Sequence, residues 1–181
     1  VDTHTHEFGA VEERVVDILD EECPEVVLHG GDFIDIFTRS LKPLREYLSL
    51  LNAGEKYAVL GNHDYWSGKT DELVRLLKDL GFRVLKDQAV KSAVGLLLGV
   101  DWRDDRAYEW MGDADVVFAH DPNAVEAAVG EKLTLAGHTH GGVVVGGLTL
   151  FTNSLYTRGL YEIRGGRPLY VSRGLGQMWP L

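Results

Sequence analysis

The sequence predicts an α/β fold, because short apolar runs alternate along the chain with longer segments whose apolar residues recur at helical spacing. Continuous apolar runs of three to five residues are typical of strands that are covered on both faces of a sheet. A strand followed by a helix, repeated several times, is the pattern of α/β proteins.

The individual elements follow from these runs. The predicted strands are residues 26–28, 57–60, 96–100, 116–119 and 133–136, and the predicted helices are 11–19, 41–51, 73–80 and a short one at 124–129. Pro24 stops the first helix, and Gly54 and Gly81 lie just past the ends of the next two.

The tail of the chain differs from the part before it. From Gly141 onward, short apolar runs at 143–145, 148–151, 159–163 and 169–172 are separated by glycine-containing turns rather than by helical segments. This pattern predicts a meander or a second sheet. It shows no boundary, so we expect one domain over residues 1–181.

Composition excludes several classes of protein. The formal net charge of −10 argues against a broad nucleic-acid-binding face, which needs clustered Lys and Arg. The single cysteine, Cys23, excludes an internal disulfide, and no apolar stretch approaches the 18 residues that indicate a transmembrane segment. The oligomeric state is not indicated by any pattern in the sequence.

Acids, an asparagine and histidines stand at the ends of predicted strands. These candidate metal ligands are Asp2, His4, Asp32, Asn62, His120, His138 and His140. Functional groups at the carboxyl ends of strands in an open α/β sheet gather at one rim, so segments distant in sequence can share a pocket.

The chemistry of these residues suits a pair of divalent cations. Asp2 and His4 are two residues apart, as are His138 and His140, so each pair points to one side of an extended chain. The carboxylate of Asp32 has two oxygens with which to bridge two cations. Paired cations are a common device for hydrolysing phosphate esters.

The ordered segments resemble the calcineurin-like metallophosphoesterase superfamily. The matching stretches are Asp-Thr-His at 2–4, Gly-Asp-Phe-Ile-Asp at 31–35, Gly-Asn-His-Asp at 61–64, His120, and Gly-His-Thr-His at 137–140. Residues 137–142 and 169–176 are similar to a branch of bacterial and archaeal phosphodiesterases linked to the cell envelope.

The resemblance implies a β-sandwich of two mixed sheets flanked by helices, and a role for each matched residue. Asp2, His4 and His140 would hold one metal, Asn62, His120 and His138 would hold the second, and Asp32 would bridge them. A hydroxide between the metals, which would be Mn²⁺, Fe or Zn²⁺, would attack a small-molecule or lipid-linked phosphate ester in line. His63 would stabilise the developing charge or protonate the leaving oxygen, and Asp35 would orient His63 through a hydrogen bond.

Two alternatives stay open on the sequence. Asp2-Thr3-His4-Thr5-His6 also resembles the opening of the polymerase-and-histidinol-phosphatase class and of amidohydrolases, which are barrels. A catalytically silent scaffold of the metallophosphoesterase fold is the other.

The ends of the chain bear on where the protein acts. The chain starts at Val1 directly before the first motif and stops where the branch continues, so we expect it to be trimmed at both ends. The expected location is the cytoplasm, or the membrane or envelope if a segment before Val1 carries an anchor.

Overall fold

The computed structural model of the protein describes residues 1–127, 130, 132–145, 148–151, 154–163 and 165–176. The helices are α1 (Ala10–Glu22), α2 (Lys42–Ser49), α3 (Asn62–Trp66) and α4 (Thr70–Asp79), and a 3-10 helix covers Pro122–Ala127. The strands are β1 (Val26–His29), β2 (Glu55–Ala58), β3 (Phe82–Val84), β4 (Gln88–Ser92), β5 (Gly95–Val100), β6 (Val116–Ala119), β7 (Leu133–Ala136), β8 (Val143–Val145), β9 (Leu148–Phe151), β10 (Gly159–Ile163) and β11 (Arg167–Val171).

Two sheets form the centre of the molecule. A parallel sheet has the order β1-β2-β3, and a larger mixed sheet has the order β10-β11-β7-β6-β5-β4, with β5, β6, β7 and β11 parallel. The predicted fold class is confirmed, although the smaller sheet is parallel rather than mixed in the described part of the chain.

The sheets pack through side chains on their facing sides. Tyr57 of β2 and Leu97 and Phe118 of the larger sheet belong to one buried cluster between them. Their neighbours Ala58 and Leu98 point to the opposite faces, as alternate residues of a strand must. Helices α1, α2 and α4 cover the outer face of the smaller sheet, and the 3-10 helix packs on the outer face of the larger one.

Most predicted elements are present, with shifts that have physical reasons. The strands at 116–119 and 133–136 match their predicted bounds, whereas β2 lies two residues earlier than predicted because Val59 and Leu60 already lead into the site loop. The edge strand β4 was not predicted, since its only buried residue is Val90 and it has no apolar run. The short fourth helix is a 3-10 helix, and its predicted residues 128–129 lie outside the described residues.

The tail is divided between two sheets. Strands β8 and β9 form a separate antiparallel pair, whereas β10 and β11 extend the larger sheet through parallel pairing of β11 with β7. Of the two predicted arrangements, a second sheet fits β8 and β9, whereas β10 and β11 form an antiparallel pair, as in a meander, and this pair joins the larger sheet. Among the described residues no helix is long and apolar enough to cross a membrane.

The fold brings four loops and the N-terminal segment to one rim. Loops after β1, β2, β6 and β7 all leave the carboxyl ends of parallel strands. The fifth segment, Val1–Thr5, lies beside the first of these loops: Asp2 N donates to Gly31 O, and His4 N donates to Asp32 O. The same segment accepts a hydrogen bond from Gly176 N at Asp2 O, so it is held between the loops that follow β1 and β11.

Candidate metal centre

All seven candidate metal ligands converge at this rim. Asp2, His4, Asp32 and His140 each place a donor atom within 4.8 Å of the others, and so do Asp32, His120 and His138. Asp32 belongs to both groups. Asp2, His4, Asp32, Asn62 and His120 are buried, whereas His138 and His140 are partly exposed.

One carboxylate oxygen of Asp32 lies between the two groups of donors. Its Oδ2 is 3.2 Å from His120 Nε2 on one side and 3.7 Å from His4 Nε2 on the other. Its Oδ1 accepts a hydrogen bond from the backbone N–H of His63 at 3.0 Å, which fixes the carboxylate plane. Oδ2 of Asp32 therefore faces a histidine of each donor group, and a bridging role for this residue stays a prediction.

The surroundings of His120 fit a cation. Its Nδ1 is 2.8 Å from the carbonyl oxygen of Gly30, which can only accept, so Nδ1 carries a hydrogen. In the neutral ring, Nε2 then has only a lone pair, and it faces Asp32 Oδ2, Asn62 Oδ1 at 3.1 Å and His138 Nδ1 at 3.2 Å. A cation between these donors removes the repulsion among them, which is the arrangement expected of a metal site.

The pKa values of the ligands point the same way. Burial lowers the pKa of His4 to about 4 and that of His138 to about 3, so both rings are neutral and able to bind metal at pH 7. Burial opposes a charge on His120 too, but the neighbouring Asp32 and Asp2 carboxylates outweigh it and raise its pKa to about 9. The centre attracts positive charge, and His120 takes up a proton where a cation would compete for the same lone pair.

Comparison with known proteins identifies the fold family. The calcineurin-like phosphoesterase family matches residues 2–142. The chain belongs to this family. An uncharacterized metallophosphoesterase of Aquifex aeolicus is 32% identical in an alignment 187 residues long, gaps included, which covers 93% of this chain and 71% of that protein.

Other relatives are longer. An uncharacterized metallophosphoesterase of Campylobacter jejuni is 29% identical, and the match covers 93% of this chain and 50% of that protein. A transmembrane protein with a metallophosphoesterase domain from Danio rerio is 26% identical, and 91% of this chain covers 44% of it. This phosphoesterase chain therefore spans about half the length of these two relatives. The family implies divalent metal ions and a phosphate ester substrate.

The loops of this phosphoesterase that carry the candidate ligands have an unusual backbone. The described chain has eight non-glycine residues with positive φ, and five of them are candidate ligands: Asp2, His4, Asp32, His138 and His140. Asp and His are among the residues that tolerate this region best, yet each such residue carries strain. The surrounding loops must hold these conformations, and clustering of this kind is typical of functional sites.

Asp64 holds the loop that carries Asp32. Its fully buried carboxylate accepts hydrogen bonds from four backbone N–H groups, those of Asp32, Phe33, Ile34 and Gly61, at 2.9 to 3.2 Å. Burial and then the charge of Asp32 raise the pKa of Asp64 to about 7, although the backbone N–H groups favour its ionised form. The motif alone did not reveal this role, because three of the four partners are backbone groups of a loop at least 30 residues earlier in the chain.

Gly61 allows the two loops to touch. A Cβ at this position would collide with the Asp32 carboxylate, at Oδ1 and Cγ. The motif therefore needs a glycine before Asn62 so that Asp32 can approach the start of α3.

The predicted pairing of Asp35 with His63 is absent. Asp35 Oδ2 lies 2.9 Å from His6 Nε2, and Asp35 Oδ1 accepts from Phe37 N and Thr38 Oγ1. The buried Nδ1 of His63 has no hydrogen-bond partner among the described residues. The prediction of this hydrogen bond was wrong, because the ring of His6, two residues beyond His4, contacts the Asp35 carboxylate instead.

His63 nevertheless lies beside the candidate metal ligands. Its partly exposed ring is edge-on to His4, with centroids 5.0 Å apart, and the ring of the exposed Trp66 has its centroid 5.4 Å from that of His63. In the second group of donors, the ring of His138 lies beside that of Trp102, with centroids 4.9 Å apart. The sequence did not assign these aromatic residues to the site, although Trp102 lies two residues past the end of β5, at the same rim as the candidate ligands.

Proposed function

We propose that the protein is a metal-dependent phosphodiesterase that hydrolyses its substrate at a centre of two divalent cations. The observation that carries this proposal is the position of Asp32, whose Oδ2 lies between two groups of donors. A single cation site would not need a second set of histidines on the far side of that oxygen.

The residues divide into two ligand sets. Asp2, His4, Asp32 and His140 would hold one cation, and Asp32, Asn62, His120 and His138 would hold the other. Mixed carboxylate, amide and imidazole donors suit Mn²⁺, Fe or Zn²⁺. Bound in this way, the cations would supply an activated water for in-line attack and a clamp on the phosphoryl oxygens.

The protein's own groups complete the site. His63 presents a partly exposed imidazole beside the first ligand set, where it would protonate the leaving oxygen or stabilise charge on the phosphoryl group. Its backbone N–H orients Asp32, so α3 positions both residues at once. Asp35, paired with His6, supports the segment that carries His4 rather than His63.

We propose a diester over a phosphoprotein substrate because residues 137–142 and 169–176 are similar to the envelope-linked phosphodiesterase branch. The proposed substrate is a small-molecule or a lipid-linked phosphate ester. Two relatives are named as transmembrane proteins, and attachment of this chain to a membrane stays a prediction.

The first test is hydrolysis of bis-p-nitrophenyl phosphate with added Mn²⁺, Fe²⁺ or Zn²⁺. We expect turnover with at least one ion and its loss in EDTA, with recovery when the ion is restored. A protein that keeps all its ligands yet shows no turnover of mono- or diesters with any divalent ion would be the silent scaffold instead.

Replacement of His63 by alanine separates catalysis from metal binding. Since His63 is in neither ligand set, we expect the variant to keep its metal while kcat falls roughly 10²- to 10⁴-fold, the usual contribution of a general acid. Elemental analysis and steady-state kinetics measure the two quantities. Loss of metal together with activity, or an unchanged kcat, would contradict the role.

The barrel alternative does not fit the structure. The chain folds into two stacked sheets, and His6 belongs to neither group of metal donors in the described residues.

A further inference from the structure

We propose that Arg158 and Arg173 form an anion subsite beside the metal centre and hold phosphate oxygens of the substrate. The inference rests on the phosphoesterase function proposed above and deepens it by assigning substrate-binding residues that lie outside the metal-ligand motifs. Both arginines come from the tail of the chain, on segments that flank β10 and β11.

The two side chains converge on Gly141, which directly follows the candidate ligand His140. A Cβ built on Gly141 would lie 3.4 Å from Arg173 Cγ and 3.6 Å from Arg158 Cδ. Both arginine stems therefore pack over a residue without a side chain, at the edge of a loop that carries two metal donors.

Arg158 is held in place by hydrogen bonds. Its Nη1 donates to Gly141 O at 3.3 Å, and its backbone N–H donates to the hydroxyl of Tyr161 at 3.2 Å. The preceding residue is tied to the same loop, since Thr139 Oγ1 donates to the carbonyl of Thr157. A guanidinium fixed by its surroundings loses less entropy when it binds an anion.

Arg173 reaches the rim from a different direction. It follows β11, which runs parallel to β7, the strand that leads to His138 and His140. The next residue, Gly174, packs against Asp2, where a Cβ would be only 2.7 Å from Asp2 Cβ. The stem of Arg173 thus stands between two metal-donor loops, and the residue is exposed.

The charge of both groups is available for a ligand. Among the described residues no carboxylate lies within 4.0 Å of either guanidinium, whereas Arg103 pairs with Asp87 and Arg106 with Asp121. The guanidinium fork matches the oxygens of a phosphate, and hydrogen bonds between charged groups are the strong ones. Two such forks beside a dication centre favour an anionic ester.

The test uses the Mn²⁺-loaded protein and the variants Arg158→Ala, Arg173→Ala and the double replacement. We expect each single change to raise KM for bis-p-nitrophenyl phosphate about tenfold and the double change about a hundredfold, with kcat changed less than about threefold. Arg158→Lys keeps the charge without the fork and should recover part of the loss. Arg14→Ala, an exposed arginine of α1, is the matched control and should leave KM unchanged.

A binding measurement separates this inference from the proposed activity. Inorganic phosphate and pyrophosphate should raise the Tm of the wild-type protein, and the double variant should lose that shift while keeping its Mn²⁺ content and circular dichroism. If the double variant loses the rise in Tm with both anions, the arginines hold the reacting phosphate. If it loses the rise with pyrophosphate alone, they hold a second phosphate of the substrate. If the arginine variants keep both the KM and the anion-induced rise in Tm of the wild-type protein, the subsite does not exist. If the wild-type protein shows no turnover but its rise in Tm still depends on the arginines, only the proposed activity is overturned.

Discussion

Replacement of Asp32 by alanine is expected to abolish hydrolysis of bis-p-nitrophenyl phosphate and to strip the protein of both cations. Asp32 is the only residue that belongs to both groups of donors in the described chain, and its Oδ2 faces histidines of each. Without that oxygen each cation would lose a ligand. The negative charge of the carboxylate would also no longer offset the repulsion between the two cations. We therefore expect activity to fall to the rate of the reaction without protein, because residues that act as one unit lose their effect together.

Elemental analysis and kinetics on the same preparation give the measurement. Asp17→Ala, which removes an exposed carboxylate from α1, is the control and should keep full metal content and activity. Retention of two equivalents of metal by the Asp32 variant would contradict a bridging role for this carboxylate.

Replacement of Asp64 by alanine is expected to destabilise the protein by about 3–5 kcal/mol, a large part of the stability of an ordinary domain. Four backbone N–H groups would lose their acceptor at a site that water does not reach. Asp32 would also lose its fixed position, so metal affinity should fall with stability. Urea unfolding of the metal-free protein reports the first effect without a contribution from bound ions.

Asp64→Asn is the informative companion variant. One side-chain oxygen remains and can serve either Phe33 and Ile34 or Asp32 and Gly61, so we expect an intermediate loss of stability. If Asp64→Ala unfolds at the same urea concentration as the wild-type protein, the carboxylate does not hold the loops together.

The candidate ligands could be predicted from the sequence because metal chemistry restricts both residue type and position. Asp2, His4 and His138 stand at strand ends or at the start of the chain, and the parallel sheets bring such positions together. The strands that carry them are buried and therefore show clear apolar runs.

The roles of supporting residues could not be predicted in the same way. Whether Asp35 meets His63 or His6 depends on side-chain directions within a loop, and a spacing of residues does not determine them. The four acceptor contacts of Asp64 go to backbone groups, which have no signature in the sequence. Edge strand β4 has a single buried residue, so its position was set by pairing with β5 and not by its own composition.

The hydrogen bonds by which Asp64 joins two loops have a consequence for metal binding. Backbone groups fix the position of Asp32 relative to the loop that carries Asn62, so this part of the site should keep its shape after chelation. Mixed carboxylate, amide and imidazole donors suit several divalent ions, so the supply of metal within the cell would also decide which ion is bound.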